Sequence, residues 1–169
     1  MTPARSWGSG GLAGVWAEEN TREALFSALQ RRETFATSGP RISLRMFGGW
    51  QLDSALPVAA NGVALADAMG VPMGSALPSQ SDSGAPRFVV FAAQDPLGAQ
   101  LDRIQIIKGW VDEKGVTHEK VIDVAWSGGR HIDPATGRLD PVGSTVNTAA
   151  STYENTIGAP SLAAWWQDD

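Results

Sequence analysis

The feature that most constrains the fold is a pair of strand-like segments flanking a short turn. Residues 101–111 are rich in isoleucine and reach an aromatic side chain near their end, and residues 116–126 resume the same extended character. Branched and aromatic side chains favour β-strands. The stretch between them, Asp112-Glu113-Lys114-Gly115, has the composition of a hairpin loop because Gly115 can adopt a positive φ without steric cost. The sequence therefore predicts an antiparallel hairpin and a fold built around β structure.

Two further segments have strand patterns. In residues 42–47, Ile42, Leu44 and Met46 alternate with Ser43, Arg45 and Phe47, as in a strand that buries the first set and exposes the second. Residues 87–93 are apolar on both faces, as in a core strand. Residues 52–83 are rich in Ala, Gly, Pro and Ser without a sustained period, so we expect a long irregular loop there. A second long loop is expected from residue 127, before an apolar anchor at residues 162–166.

One amphipathic helix is predicted near the N-terminus, over residues 21–32. Asn20 can cap its first turn, with Glu23 as the reciprocal partner three residues later. Apolar residues then recur at helical spacing, at Ala24, Leu25, Ala28 and Leu29. Residues 1–11, which end in a run of Gly and Ser, are predicted to be a flexible linker.

These patterns predict a mainly β, α+β fold: an antiparallel β-sandwich-like domain with one N-terminal amphipathic helix and long loops. We expect residues 1–40 to form the N-terminal linker and helix and residues 41–169 to form the β-sandwich-like domain. With 43% apolar and 18% charged residues, the chain has the composition of a folded protein. A domain of this length buries about 70% of the surface that its unfolded chain exposes.

Charge and composition exclude several function classes. The net charge of −5 comes from 18 acidic and 13 basic residues without a Lys/Arg-rich stripe, so we expect no nucleic-acid partner. The absence of cysteine rules out thiolate nucleophiles, cysteine metal ligands and disulfides. The apolar run at residues 88–93 is too short to span a bilayer, so we expect a soluble chain with no membrane partner. The compartment stays open, and export of a longer parent to the periplasm is compatible with the sequence.

The best candidate binding site is a cluster of cationic and hydroxyl side chains between the predicted helix and the first strand. Its members are Arg31, Arg32, Thr37, Ser38 and Arg41. Guanidinium groups, hydroxyls and turn amides can together hold an oxyanion such as phosphate or carboxylate. Arginine at a helix C-terminus also complements the helix dipole, and Thr-Ser-Gly-Pro is a common turn, so a purely structural role stays open.

The remaining polar residues predict no catalytic residue and no metal site. His118 and His131 lie outside any ligand pattern, although imidazole is a common metal ligand and base. The run from Asp133 to Asp140 fails the spacing of a helix-loop-helix calcium site. Ser38 lacks the Gly-x-Ser-x-Gly context of a nucleophile elbow. We therefore assign no cofactor to this chain.

Five stretches of the sequence are distinctive enough to carry a family resemblance. They are Gly11-Leu12-Ala13-Gly14-Val15-Trp16-Ala17-Glu18-Glu19-Asn20-Thr21-Arg22, Arg31-Arg32-Glu33-Thr34-Phe35-Ala36-Thr37-Ser38-Gly39-Pro40-Arg41, Gly48-Gly49-Trp50, Gly70-Val71-Pro72-Met73-Gly74 and Ile106-Ile107-Lys108-Gly109-Trp110-Val111-Asp112. They closely resemble the C-terminal part of a bacterial family, domain of unknown function 3604. That family looks like a branch of the polymerase-and-histidinol-phosphatase (PHP) metallohydrolases, whose metal-binding motifs lie mostly upstream of this segment.

The resemblance implies that the chain is a fragment, truncated at both ends, of a longer parent. Its expected role is a non-catalytic C-terminal accessory portion of a PHP-like metal-dependent hydrolase. Its partner would be the missing N-terminal PHP-like domain, which would hold any divalent metal.

Two alternatives stay open beside that reading. In the first, Arg32 and Arg41 contribute substrate contacts to a site that cleaves a small-molecule phosphoester or ester. In the second, the β domain is a stand-alone ligand- or carbohydrate-binding module, which would need an exposed row of aromatic side chains. The seven tryptophans are scattered along the sequence, which favours packing roles for them.

Overall fold

A computed structural model describes residues 10–79 and 84–168, and within these ranges it has two α-helices and ten strands. In chain order the elements are β1 (Leu12–Val15), α1 (Arg22–Gln30), β2 (Thr34–Thr37), β3 (Ser43–Gly49), α2 (Gly62–Met69), β4 (Val71–Pro72), β5 (Arg87–Ala93), β6 (Arg103–Val111), β7 (Thr117–Trp126), β8 (Ile132–Asp133), β9 (Arg138–Leu139) and β10 (Ser161–Gln167). The predicted mainly β, α+β class is confirmed. No helix in the described ranges is long and apolar enough to cross a membrane.

Four strands form a central antiparallel sheet in the order β10-β5-β3-β4. Its middle strands are apolar, with Val89 of β5 opposite Phe47 of β3 on one side and Trp165 of β10 on the other. The apolar anchor expected at residues 162–166 is thus an edge strand of this sheet. It ties the end of the described chain to the strand that lies deepest in the core.

The predicted hairpin is confirmed as β6 and β7, which pair antiparallel. Gly115 has a φ of 79°, the conformation that the turn requires of it. One carboxylate oxygen of Asp112 accepts the amide N–H groups of Lys114 and Val116, both at 2.9 Å. Local turn chemistry therefore closes the hairpin without help from the rest of the fold.

The hairpin packs on one face of the central sheet. Val90 and Ala92 of β5 form a buried cluster with Leu101, Ile104 and Ile106. Successive side chains of a strand point to opposite faces, so alternate residues of β5 are left to pack on the other side. Strands stacked on strands give the sandwich-like part of the predicted architecture.

The opposite face of the sheet is covered by helical structure. Phe47 and Val89 pack there with Leu52, Leu56 and Ala66, the last of which belongs to α2. β3 therefore has apolar contacts on both faces. The prediction of a strand with one buried face is wrong, because α2 covers the face that was expected to meet solvent.

The irregular loop predicted for residues 52–83 is wrong in its middle, where α2 lies, and residues 80–83 fall outside the described ranges. Alanine-rich sequence has a high helix propensity, but small side chains give little amphipathic signal. The helix is stabilised by burying Gly62 and Ala66 against the sheet. The prediction of a single helix is wrong for the same reason.

The predicted N-terminal helix is confirmed as α1, over a slightly shorter span than residues 21–32. Its N-cap is Thr21, whose Oγ1 accepts the amide N–H of Ala24 at 3.3 Å. Thr21 has the extended backbone conformation typical of N-cap residues. The predicted cap at Asn20 is therefore wrong by one residue.

β1, α1 and β2 form a small unit, residues 10–37, which we call the N-terminal unit. Within it, Ala28 is the only buried residue. The unit is attached to the sheet through Trp16, whose indole N–H donates to the carbonyl of Leu44 at 2.9 Å. The division expected at residue 40 stays a prediction, and the linker expected at residues 1–11 lies outside the described ranges except for its last two glycines.

Candidate functional site

The five residues of the predicted oxyanion site are divided between the two ends of β2. Arg31 and Arg32 precede the strand, whereas Thr37, Ser38 and Arg41 lie at its end or beyond it. A strand rises about 3.3 Å per residue, so roughly 10 Å of backbone separates the two groups. A joint oxyanion site stays a prediction, and it would have to bridge that length.

Arg31 is already paired within the N-terminal unit. Its Nε donates to a carboxylate oxygen of Glu33 at 2.7 Å. This hydrogen bond and the charge of Glu33 raise the pKa of Arg31 above its ordinary value. An anion that approached Arg31 would compete with Glu33 for the same N–H groups.

Arg32 has a left-handed backbone, with a φ of 60°. Helix α1 ends there in a double hydrogen bond: the amide of Arg32 donates to Leu29 O at 3.0 Å, and that of Glu33 donates to Ala28 O at 3.1 Å. This is the pattern of a Schellman motif, in which glycine usually holds the left-handed position. The local reason for the conformation is therefore helix termination, with arginine in a position that favours glycine.

Arg41 and Thr37 also have local roles. Thr37 Oγ1 accepts the amide of Leu12 at 3.3 Å, and the amide of Arg41 donates to Asp95 at 2.8 Å. The hydrogen bond from the amide of Arg41 and one from the amide of Leu97 lower the pKa of Asp95. Arg41 lines a cavity of about 480 Å³ that Asp95 also lines.

A larger concavity, of about 1040 Å³, lies between the central sheet and α2, and we call it the α2 groove. Residues of the sheet, of α2 and of its N-terminal flank line it, among them Arg45, Asn61, Val63, Asp67, Phe91 and Ala163. Most of the lining is apolar and small. Apolar clefts of this size with a few polar groups are the usual form of small-molecule sites.

Arg45 of β3 is the prominent cation of the α2 groove. Its guanidinium lies 5.2 Å from the ring centre of Trp16 and 5.1 Å from that of Phe47. Its nearest carboxylate oxygens belong to Asp67, at 3.7 Å, and Glu33, at 3.9 Å. Both distances exceed hydrogen-bonding range, and within the described ranges the guanidinium donates no hydrogen bond. Two aromatic rings therefore hold a cation whose donors are available.

Sequence reasoning missed Arg45 for a physical reason. The period of two places it on the same face as Phe47, and that face was expected to meet solvent, where an arginine is unremarkable. A usable signal was nevertheless present. Phe47 is a large aromatic on the supposedly exposed face, and a cation next to it in a strand favours a covered, mixed environment.

Neither histidine lies in a metal-binding or catalytic arrangement within the described residues. His118 lies 2.9 Å from a carboxylate oxygen of Asp112 and stacks on Trp110 at 5.1 Å between ring centres. His131 is exposed in a loop. In the part of the chain that the structure describes, no group of three or more His, Cys, Asp or Glu side chains is placed to hold a metal ion.

The loop that invited a calcium interpretation is a hydrogen-bonded turn. Asp133 accepts the amide N–H of Ala135 and the hydroxyl of Thr136, both at 2.8 Å. These bonds lower the pKa of Asp133. Its oxygens are thus occupied by the turn itself.

The tryptophans act mainly in packing. Four indole N–H groups donate to backbone carbonyls, those of Trp16, Trp50, Trp126 and Trp165. Among the described residues, the well-exposed aromatics are Phe26 on α1, Trp110 on β6 and Tyr153 in the loop before β10. This scatter disfavours an aromatic platform for sugars.

The two longest distinctive stretches of the sequence meet each other as β1 and β2. Leu12 lies opposite Thr37 in their antiparallel pairing. A Cβ on Gly11 would lie 2.4 Å from Thr37 O, and one on Gly14 would lie 2.3 Å from the ring of Phe35. A side chain at Gly11 would require a shift of the β2 backbone, and one at Gly14 would displace the ring of Phe35. The absence of side chains at Gly11 and Gly14 thus allows the first stretch to pack closely against the second.

Comparison with known proteins gave one kind of match. No curated protein and no solved structure is similar to the chain at a significant level. The family model described as "Protein of unknown function (DUF3604)" matches residues 1–169. The resemblance carried by the five distinctive stretches is thereby confirmed at the level of the family, and the chain belongs to the DUF3604 family.

Proposed function

We propose that this chain is a non-catalytic accessory portion of a larger PHP-like metal-dependent hydrolase, and that its N-terminal unit packs against the domain that carries the metal. One observation carries the proposal. Phe26 and Leu29 of α1 are 60% and 53% exposed, while Ala28 is the only buried residue of the unit. The unit has apolar surface to bury and almost no core of its own.

Energetics favour a partner for this surface. A two-stranded ribbon is marginal in water, and a helix of nine residues is short of the length at which isolated helices persist. Phe26 and Leu29 are three positions apart, so they share one face of α1. Leu12 of β1 is also half exposed. Covering a large apolar side chain stabilises a fold by about 1.5–3 kcal/mol.

The partner that we propose is the PHP-like domain implied by the resemblance. The resemblance implies metal-binding motifs upstream of this segment, so no residue of this chain is assigned to the metal. The role of the chain would be to support the neighbouring domain and to close one side of its site. The chemistry would belong to that domain, with a small phosphoester or ester as the expected substrate.

The interface is tested by comparing Phe26→Ser in this chain with the same change in a protein extended upstream through the PHP-like domain. In the isolated chain an exposed phenylalanine contributes little, so we expect a change in the free energy of unfolding below about 0.5 kcal/mol. In the extended protein we expect a loss of about 2–3 kcal/mol, since the ring would be buried. Ile107→Ser on β6, an equally exposed apolar residue, is the matched control and should behave alike in both proteins.

A second measurement tests which part of the protein carries the metal and the hydrolytic activity. Metal content and hydrolysis of p-nitrophenyl phosphate and p-nitrophenyl acetate are measured for both proteins. We expect stoichiometric metal and turnover in the extended protein alone. Stoichiometric metal or turnover in the short chain would refute the accessory role, and equal effects of Phe26→Ser in both proteins would refute the interface.

One observation favours the alternative in which arginines of this chain contact substrate. Arg32 is exposed and holds a left-handed backbone in which glycine would be relaxed. In the extended protein, Arg32→Gly should preserve folding and lower turnover at least about tenfold if the guanidinium binds substrate. Unchanged turnover in that variant, and in Arg41→Ala, would remove this alternative.

A further inference from the structure

We propose that the α2 groove is a binding site for a small amphipathic carboxylate. The carboxylate would bind the guanidinium of Arg45, and the apolar body of the ligand would lie along the floor of the groove. This site is independent of the proposed role in a larger hydrolase, because it lies wholly within the described chain.

Arg45 has hydrogen-bond donors available for a ligand. A guanidinium has five N–H donors, and a carboxylate can accept two of them at once. The side chain of Arg45 is 23% exposed, and its nearest carboxylate oxygens are at 3.7 and 3.9 Å. The guanidinium also contacts the rings of Trp16 and Phe47, which restricts the positions that the side chain can adopt. The planar fork of a guanidinium matches the two oxygens of a carboxylate.

The charges around Arg45 limit the charge of the ligand. Two carboxylates, those of Glu33 and Asp67, lie within 4 Å of the guanidinium. Glu33 is shared with Arg31, so its charge is partly compensated. The guanidinium groups of Arg31 and Arg45 together balance the two carboxylates, so a bound monoanion adds one uncompensated charge to this cluster, whereas a dianion such as a phosphate monoester adds two. The site therefore favours a carboxylate over a phosphate.

The side chain of Asp67 would compete with the ligand for Arg45. Asp67 of α2 is 53% exposed and makes no hydrogen bond to Arg45, so its side chain can turn into solvent when a ligand arrives. Surface ion pairs of this kind contribute little to stability. The incoming carboxylate would replace a loose ion pair with two short hydrogen bonds.

The floor of the groove is apolar. Phe91 of β5 and Ala163 of β10 line it from the sheet, and Val63 lines it from α2. The adjoining Ala59 and Ala60 are small, which leaves room for the body of a ligand. A site with an apolar floor and one cation at its end is complementary to an aliphatic or aromatic acid.

The test uses the full chain and hexanoate as the probe, with binding followed by two-dimensional NMR. We expect hexanoate to shift the resonances of Val63 and Ala163, and Arg45→Gln to weaken binding at least about tenfold. Asp67→Asn removes the competing carboxylate and should tighten binding several-fold. Arg41→Gln, in the smaller cavity, is the matched control and should leave binding unchanged.

Hexanol and hexyl phosphate separate the contributions of apolar body and charge. Hexanol should bind more weakly than hexanoate and should be insensitive to Arg45→Gln. Tighter binding of hexyl phosphate than of hexanoate would overturn the carboxylate assignment. Asp67→Asn replaces a half-exposed carboxylate with an amide of the same shape and leaves the core intact. Weaker or unchanged hexanoate binding in this variant would overturn the site even where Arg45→Gln fails to fold.

Discussion

Trp16 is expected to be the main attachment of the N-terminal unit to the sheet, and Trp16→Ala should release the unit while the sheet stays folded. The indole N–H donates to Leu44 O at 2.9 Å, which joins the residue that follows β1 to β3. The ring lies 5.7 Å from that of Phe35 and 5.2 Å from the guanidinium of Arg45. The substitution removes all three contacts together.

The expected magnitude follows from these contacts. A hydrogen bond contributes about 1 kcal/mol net, an aromatic pair about 0.5–1.5 kcal/mol, and a cation over an indole ring about 0.5–1 kcal/mol where it is partly exposed. With some lost apolar burial, Trp16→Ala should lower the local free energy of opening by about 2–4 kcal/mol. Trp16→Phe keeps most of the ring and loses the donor, so it should cost about 1 kcal/mol.

The assay is native-state hydrogen exchange, which resolves local from global opening. Amides of residues 10–37 should lose protection in Trp16→Ala, while those of β5 should keep theirs. Trp110→Ala, which removes a partly exposed indole from the far hairpin, is the control and should leave residues 10–37 unaffected. Unchanged protection of residues 10–37 in Trp16→Ala, or equal loss of protection in β5, would refute the view that the unit is held mainly by this indole.

Three further outcomes are expected. Phe47→Ala empties a fully buried site between the sheet and α2 and should lower the free energy of unfolding by about 3–5 kcal/mol in urea titrations. Gly74→Ala places a Cβ about 2.2 Å from Arg32 O at a φ of 84°, so it should destabilise the chain by at least about 1 kcal/mol in thermal unfolding. The hydrogen bond from His118 and two backbone amides lower the pKa of Asp112 from 3.8. The stabilisation of the hairpin by the ionised Asp112 should therefore be present above the pKa of Asp112 in the unfolded chain and be lost as pH falls through its lower pKa in the folded chain. A carboxyl NMR titration, with Asp112→Asn as the control, would detect this loss.

The elements that could be predicted are those whose signals are local. The hairpin of β6 and β7 is specified by flanking strand propensity and by the turn at residues 112–115, which its own side chain closes. Helix α1 is specified by an apolar spacing and by a capping residue within one position of the predicted cap. Neither depends on distant parts of the chain, so the sequence carries enough information for both.

The elements that could not be predicted depend on what docks against them. α2 has small apolar residues on several sides and acquires its buried face through contact with β3, β5 and the segment that contains Leu52 and Leu56. The second buried face of β3, and with it the environment of Arg45, follows from that docking. A period of two identifies two faces of a strand, but it does not show which of them another element will cover.

The distinctive glycines of the chain show why a strong family resemblance did not reveal a chemical site. A Cβ on Gly70 would lie 2.7 Å from Gly48 O, and one on Gly48 would lie 3.1 Å from the ring of Phe88. β3 and β4 pair at this point, with Gly48 opposite Val71. These residues permit close approach of backbones, so they define how the strands assemble and not what the protein binds. Arg45, by contrast, stands outside all five distinctive stretches and has the most available donors in the α2 groove. Residues that determine the fold and residues that determine binding are therefore separate in this chain, and the surfaces of the α2 groove and of α1 are where function should be sought.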